Sequence, residues 1–305
     1  MMKAAIVGCV GSTALAAEVL ARAPEWSLEL VVTLELAAAE RHSDFVDLAG
    51  IAEHSGASLF RTLNSNSPEC LEQIAAADVD FIFVIGWSQI CRAEFMELKP
   101  DRIIGYHPAA LPRMRGRAAL PWTILLQEAI TAGSLMWLGD DVDNGDLIDQ
   151  HYFHVAADET AETLYAKHQS ALEKMLERSL PKLANGELPR EPQDPRYATY
   201  AAKRIPADGL IDWKRSADEI ERLVRAVGKP YPCAFTFDGE RRVTIRRGKA
   251  APDNGIYHAM AGQIVERSQD RFMVMTGNGL LSVEEWETVS GKMPRQHAVL
   301  GREML

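Results

Sequence analysis

The first half of the chain alternates short apolar runs with amphipathic stretches, and this alternation restricts the fold more than any other feature. Apolar runs predict strands over residues 4–8, 28–34, 80–85 and 102–106, and a helix over 13–23. The run 80–85 is apolar at every position after its first, as in a strand that is buried on both faces. Strands that alternate with helices form a doubly wound α/β fold, so we predict a parallel, Rossmann-like sheet with helices on both sides.

The chain changes character after a proline-rich stretch at residues 185–196. A helical pattern over 160–183 precedes this stretch, and a capped helix over 216–227 follows it. Short strand-like pieces come next, at a spacing typical of a small β-barrel. They lie at residues 233–237, 242–245, 262–266, 272–276 and 280–283. We therefore predict two domains, an α/β domain over residues 1–200 and an OB-like barrel over residues 201–305.

Composition argues against several classes of protein. No apolar run approaches the roughly 18 residues of a membrane span, and the apolar start of the chain is too short for a secretory signal. The four cysteines lie far apart, which favours reduced thiols in a cytoplasmic protein and supports neither a disulfide framework nor a metal site. The net charge of −10 disfavours broad contact with a nucleic-acid backbone.

One segment, residues 105–117, has the order of side chains that a catalytic edge needs. His107 follows an apolar run and precedes two small residues, a Leu-Pro pair and three arginines. Ligands bind at the carboxyl ends of parallel strands, so His107 and residues 86–89 are expected on one edge of the sheet. An acidic turn at residues 139–146 could orient the histidine, although its composition fits an exposed turn equally well.

The segment 105–117 resembles the signature of the folate-dependent formyltransferases, Asn-x-His-x-Ser-x-Leu-Pro-x-x-x-Gly. The acidic turn stands at the family's spacing after the histidine. Residues 209–236 resemble the start of the carboxy-terminal domain that methionyl-tRNA formyltransferase shares with the amino-sugar formyltransferases. The resemblance covers nearly the whole chain, and it implies transfer of a formyl group from 10-formyltetrahydrofolate to a primary amine.

The resemblance also implies roles for individual residues. His107 matches the histidine that takes or relays the proton of the amine, and Asp143 matches the aspartate that orients it. The acceptor would contact Arg115, Arg117 and Tyr231. The residues implied in the pocket for the folate co-substrate are Gly86, Trp87, Gln89, Ile90, Cys91, Gly139, Asp140, Asp141 and Val142.

Two positions depart from the family pattern, because Gly105 replaces an asparagine and Ala109 replaces a serine. The asparagine donates a hydrogen bond to the oxyanion of the intermediate, and losing such a donor costs roughly 2.7–4 kcal/mol. Three hypotheses stay open. The protein could be a formyltransferase with another oxyanion donor, an N-acyltransferase whose bulkier acyl donor, such as acetyl-CoA, uses the space at Gly105, or a catalytically inactive binding protein.

The family acts on two well-known acceptors, charged initiator tRNA and nucleotide-linked amino sugars. The acidic net charge and the short basic clusters at residues 113–117 and 240–247 suit one or two phosphates better than tRNA. The stretches 115–118 and 230–232 also resemble the amino-sugar enzymes more closely. We therefore predict a sugar N-formyltransferase, with a methionyl-tRNA formyltransferase as the alternative. The carboxy-terminal barrel could support a homodimer or brace the catalytic domain.

Overall fold

A computed structural model describes residues 1–302 of the chain, which divide into two compact units. The first unit comprises residues 1–119, 130–154 and 165–202. The second comprises residues 120–129, 155–164 and the chain from 203 onward. The two short segments of the second unit that precede residue 200 were not indicated by any sequence pattern.

The first unit contains nine strands and most of the helices of the described chain. Its strands are β1 (Met2–Val7), β2 (Trp26–Leu34), β3 (Ser58–Thr62), β4 (Phe81–Val84), β5 (Ile103–His107), β6 (Arg115–Gly116), β7 (Ile130–Trp137), β8 (Leu147–His154) and β9 (Tyr200–Ala201). The helices up to residue 184 are α1 (Gly11–Arg22), α2 (Ala49–Ser55), α3 (Pro68–Ala76), α4 (Ala93–Met96), α5 (Ala119–Leu125) and α6 (Ala161–Ala184). All of α5 except Ala119, and the start of α6 up to Leu164, belong to the second unit.

Seven strands of the first unit form one sheet in the order β3-β2-β1-β4-β5-β7-β8. The pairs from β3 to β5 are parallel, whereas β7 is antiparallel to both β5 and β8. The predicted α/β fold is confirmed, but the sheet is mixed rather than wholly parallel. The short connection at residues 138–146 reverses the chain, because it has no room for the crossover that a parallel pair needs.

The central strands are apolar on both faces because each face packs against other elements. Ala4 and Ile6 of β1 join a core cluster that contains Phe81, Phe83 and side chains of α1 and α6. Ala5 joins Ile82 and side chains of α3 in a second cluster. Successive side chains of a strand point to opposite faces, which explains why the run 80–85 has no polar alternation.

The carboxyl ends of β1, β4 and β5 lie side by side at one edge of the sheet. The hydroxyl of Thr13, in the first turn of α1, donates to the carbonyl of Ile85 at 2.6 Å and fixes the turn after β1 to the end of β4. His107 is the last residue of β5. As expected, His107 therefore lies at the same edge of the sheet as the turn after residue 7 and the turn after residue 85.

The second unit contains an antiparallel sheet and the helix α7 (Ala217–Ala226). Ser216 caps α7 through a reciprocal pair of hydrogen bonds with Glu219, as its sequence predicts. The strands pair in the order β10-β11-β14-β13-β12. They are β10 (Ala234–Asp238), β11 (Arg241–Ala251), β12 (Ile264–Arg267), β13 (Phe272–Met275) and β14 (Leu280–Thr288). Within residues 1–302, no helix combines the length and apolar character that a membrane crossing needs.

Candidate active site

His107 lies buried at the end of β5 with an acceptor at each ring nitrogen. Its Nε2 is 2.7 Å from the carbonyl oxygen of Met114, and its Nδ1 is 3.3 Å from Oδ2 of Asp143. A carbonyl oxygen can only accept a hydrogen bond, so in the contact with Met114 the donor is the N–H at Nε2 of His107. The second contact becomes a hydrogen bond when Nδ1 is protonated as well. The two predicted catalytic side chains are therefore in direct contact, and the arrangement suits a ring that gains and loses a proton.

Asp143 is held in place by its own turn and by the glycine of the arginine loop. The backbone N–H of Gly116 donates to Oδ2 of Asp143 at 2.8 Å. Gly116 has φ of +105°, and a Cβ there would lie 2.7 Å from the carbonyl oxygen of Ala201, so only glycine fits. In the turn itself, the side chain of Asn144 accepts from the N–H of Asp141 at 3.2 Å. The bond from Gly116 thus holds the carboxylate beside His107, and the bond between Asp141 and Asn144 stabilises the turn that carries it.

Gln193 joins the acidic turn to the arginine loop, and sequence analysis missed it. Its amide donates to the carbonyls of Asp143 and Gly145 at 2.8 and 2.7 Å, and its oxygen accepts twice from the guanidinium of Arg115. Gln193 lies in the proline-rich stretch, where composition indicated only a linker. Prolines report an extended backbone but not what its polar side chains contact, so a single sequence carried no signal for this role.

The loop after His107 is tied to the sheet by Ser134 and Gln150. The hydroxyl of Ser134 donates to the carbonyl of Ala109 at 2.6 Å, and the amide of Gln150 donates to that hydroxyl and to the carbonyl of Leu111 at 2.8 and 2.9 Å. A serine on the paired strand β7 therefore bonds to the loop where the family pattern would have a serine at position 109. The sequence motif did not reveal this arrangement, because Ser134 lies on another strand.

The space beside Gly105 is filled by an apolar side chain. A Cβ at this position would lie 2.6 Å from Cδ2 of Leu138 and 3.5 Å from Cε of Met136. Of the two, the leucine comes closer than any ordinary carbon–carbon contact allows. The end of Leu138 therefore takes up the space beside Gly105 that the acyltransferase hypothesis assigns to a bulkier acyl donor. Neither Leu138 nor Met136 carries a hydrogen-bond donor, so this wall cannot replace the family asparagine.

A cavity of about 260 Å³ opens between the turn after β4 and the acidic turn. Gly105 and Asp143 both line it, and His107, which is only 5 % exposed, meets it through Asp143. The structure brings to this one cavity all nine residues that the resemblance implied for the folate. They are Gly86, Trp87, Gln89, Ile90, Cys91, Gly139, Asp140, Asp141 and Val142. Met96, Met136 and Leu138 add apolar surface.

The three residues predicted to contact the acceptor, Arg115, Arg117 and Tyr231, differ in exposure and in the unit to which they belong. Arg115 is buried, and its guanidinium is bonded to Gln193. Arg117 is exposed on the same loop. Burial, and to a smaller extent the positive charge of Arg117, lowers the pKa of His42. Tyr231 lies in the second unit, in the wall of a cavity with Arg242 and Arg246. Arg113 and Arg117 of this loop are exposed, whereas Arg115 is buried.

Two further groups have shifted pKa values: His168, behind Tyr106, and Cys91, in the wall of the cavity. His168 is buried 3.1 Å from the hydroxyl of Tyr106, and its Nε2 has no hydrogen-bond partner within residues 1–302. Burial, and to a smaller extent the charge of His107, lowers the pKa of His168 to about 3, so this ring stays neutral. Burial also raises the pKa of the Cys91 thiol to about 12, which makes it a poor nucleophile.

Two family models match the chain. One, described as formyl transferase, matches residues 19–180, and the other, described as formyl transferase, C-terminal domain, matches residues 204–301. The two models together cover most of both units.

Solved structures of similar fold cover nearly the whole chain at low identity. The N-formyltransferase of Helicobacter canadensis, in complex with folinic acid and dTDP-3-aminofucose, is 20% identical with a TM-score of 0.69, over 94% of this chain and 100% of its own. WlaRD, a sugar 3N-formyl transferase solved in the presence of dTDP and 5-N-formyl-THF, is 18% identical with a TM-score of 0.67, over 96% and 99%. HypX of Aquifex aeolicus, in complex with tetrahydrofolic acid, is 14% identical with a TM-score of 0.66, over 94% and 44%. At these identities the likeness shows the fold.

Proposed function

This chain belongs to the formyl transferase family, and from that premise we propose that it transfers a formyl group from 10-formyltetrahydrofolate to the amine of a nucleotide-linked amino sugar. The observation that carries the proposal is the contact of His107 with Asp143 at the wall of one cavity. The same cavity is lined by every residue matched to the folate pocket. A paired proton-handling group beside a donor pocket is what acyl transfer to an amine requires.

The cavity offers a donor pocket with one apolar wall and one polar rim. Met96, Met136 and Leu138 would contact a flat ring, while the acidic turn supplies backbone and carboxylate groups. Its volume of about 260 Å³ lies near the lower end of ordinary ligand pockets, about 300–1,000 Å³. Part of an extended folate would therefore lie outside it.

The pair His107–Asp143 would handle the proton of the reacting amine. The neutral amine nitrogen attacks the formyl carbon, a new C–N bond forms, and the carbonyl oxygen takes up negative charge. The amine then gives up its proton to the pair, and Asp143 stabilises the charged form of the His107 ring across the 3.3 Å contact. The bond between the formyl carbon and the donor nitrogen breaks, and that nitrogen receives the proton.

The oxyanion is the weak point of this site. Gly105 offers no side chain, and Cδ2 of Leu138 lies 2.6 Å from where a Cβ at this position would stand. A missing donor typically lowers the rate a hundredfold to a thousandfold. We therefore propose a slow formyltransferase rather than an acetyltransferase, since the filled space removes the argument for a bulkier donor.

Charge supports an acceptor with few phosphates. The chain carries a net charge of −10, and Arg117 is an exposed cation on the loop that contacts Asp143 through Gly116. A single guanidinium can hold one phosphate of a nucleotide-linked sugar. Initiator tRNA would need a broader basic surface. Two structural neighbours were solved with dTDP-3-aminofucose and with dTDP, which is consistent with the same class of acceptor.

Thermal unfolding with ligands tests the proposal. A ligand that binds the folded chain raises its melting temperature. We expect a rise with 5-formyltetrahydrofolate, a further rise with a dTDP-amino sugar, and no rise with acetyl-CoA. Absence of any shift with folates would contradict the proposed donor, and a shift with acetyl-CoA alone would favour the acyltransferase.

A further inference from the structure

The turn after β4 has no regular structure of its own, and a neighbouring segment determines its shape. We call residues 86–92 the donor loop and residues 63–67 the clamp. The donor loop belongs to neither helix nor strand, yet five of its residues line the cavity. These residues are Gly86, Trp87, Gln89, Ile90 and Cys91. A loop without a hydrogen-bonded ladder needs other partners to keep one conformation.

The clamp supplies these partners through side-chain hydrogen bonds. The indole N–H of Trp87 donates to the hydroxyl of Ser65 at 2.9 Å. The side-chain amide of Gln89 donates to the carbonyl of Leu63 at 2.6 Å and accepts from the N–H of Ser65 at 3.2 Å. Both ends of this amide are therefore engaged by the clamp. Gln89, matched by resemblance to the folate pocket, uses its polar groups to hold the loop.

Asn66 makes the two contacts that fix the outer half of the donor loop. Its amide nitrogen donates to the carbonyl of Ile90 at 3.0 Å, and its oxygen accepts from the N–H of Arg92 at 2.8 Å. These bonds bracket Cys91 and hold the backbone of Ile90, whose side chain is 73 % exposed although it lines the cavity. A single side chain thus sets where this apolar residue stands.

The clamp can do this because it is itself fixed at both ends. It follows β3, and the side chain of Asn64 accepts from the N–H of Asn66 at 3.0 Å. At its other end, Ser67 caps α3 by accepting from the N–H of Cys70 at 3.3 Å. Ser65 is fully buried. The backbone of the clamp is therefore held by contacts that continue into β3 and α3, while the side-chain amide of Asn66 contacts the donor loop.

We propose that Asn66 is a positioning residue for the folate donor: it holds the donor loop in the conformation that binds the donor, without touching the reacting atoms. This inference rests on the proposed function for the identity of the ligand. It predicts that loss of the Asn66 amide weakens donor binding and leaves the chemical step and acceptor binding unchanged. Pre-organisation of a loop raises affinity by removing the cost of ordering it on binding.

The test compares Asn66→Ala with the matched control Asn185→Ala. Asn185 follows α6, is exposed, and its side chain has no hydrogen bond to the donor loop. Hydrogen–deuterium exchange of the peptide covering residues 87–92 is measured without ligand. We expect roughly tenfold faster exchange in N66A than in N185A, the ratio that corresponds to about 1.4 kcal/mol. An unchanged exchange rate would show that Asn66 does not hold the donor loop in one conformation.

Donor affinity is measured on the same proteins by titration with 5-formyltetrahydrofolate. We expect about tenfold weaker binding for N66A, a matching rise in donor KM, and unchanged kcat and acceptor KM. Faster exchange with unchanged donor affinity would overturn the positioning role. Failure of the wild-type protein to bind any folate would instead refute the proposed function. If N66A does not fold, Ser65→Ala, which removes only the Trp87 contact, is expected to give the same changes to a smaller extent.

Discussion

Replacing Gly105 by asparagine tests whether the oxyanion contact is what this site lacks. A Cβ at position 105 would lie 2.6 Å from Cδ2 of Leu138, whereas ordinary contacts begin at 3.4 Å. The leucine must therefore move by about 0.8 Å (3.4 − 2.6) before the amide itself is accommodated. Because the obstacle is the end of a flexible, half-buried side chain at the cavity wall, the cost is about 1 kcal/mol, the lower end of the range for overpacking. We expect Gly105→Asn alone to lower the free energy of unfolding by that amount and to gain little activity.

The double variant Gly105→Asn with Leu138→Ala removes the obstacle. Its amide can then reach the cavity, and one oxyanion donor contributes a hundredfold to a thousandfold in rate. Because an introduced group is rarely placed ideally, we expect kcat for formyl transfer to rise roughly ten- to hundredfold. The matched control is Gly105→Ala with Leu138→Ala, which makes the same backbone and cavity changes without the amide.

The assay is single-turnover formyl transfer at saturating donor, with urea unfolding to confirm that each variant folds. The informative comparison is between the asparagine and alanine double variants. Equal rates for the two, with both folded, would show that the oxyanion is already stabilised elsewhere. In that case our reasoning about Gly105 and Leu138 would be wrong.

Four other changes have defined expected outcomes. Asp143→Asn is expected to lower kcat by roughly 10²–10⁴, as for loss of an acid–base partner, and an unchanged kcat would exclude the pair from proton transfer. Gln193→Leu leaves Arg115 buried without its partner, so urea unfolding should show a loss of roughly 1–3 kcal/mol, and wild-type stability would contradict that role. Arg117→Ala is expected to raise acceptor KM about tenfold without affecting donor KM, and an unchanged acceptor KM would remove it from the acceptor site. His168 is neutral in the fold, with its pKa lowered to about 3 from 6.5. Below about pH 6.5 the unfolded chain therefore binds a proton that the fold excludes, and the free energy of unfolding should fall by about 1.4 kcal/mol per pH unit. His168→Gln should remove this slope between about pH 6 and 4, and identical slopes in the two proteins would contradict it.

The sequence predicted those strands and helices whose burial leaves a regular pattern of apolar residues. Apolar runs located four of the seven strands of the central sheet, β1, β2, β4 and β5, because burial on one or both faces leaves a direct pattern in a strand's own residues. The edge strand β3 was not predicted. The antiparallel return of β7 and β8 left no such pattern. Its direction depends on the short connection at residues 138–146, which composition described only as an acidic turn.

In the candidate site, too, some residues were predicted from the sequence and others were not. The family resemblance matched His107 and Asp143 to a proton-handling histidine and its orienting aspartate, and the two side chains lie 3.3 Å apart. The leucine at position 138, the glutamine at 193 and the asparagine at 66 could not be found in this way. Each acts through a contact with a residue at least 24 positions away, and neither residue type nor local spacing encodes such a partner.

The central claim is that His107 and Asp143 serve formyl transfer to an amino sugar, and mass spectrometry of the acceptor tests it most directly. A dTDP-amino sugar is incubated with the protein and either 10-formyltetrahydrofolate or acetyl-CoA, with His107→Asn as the inactive control. We predict the gain of one formyl group with the folate, no change with acetyl-CoA, and no product with H107N. An acetylated product, or formylation that is unaffected in H107N, would contradict the account.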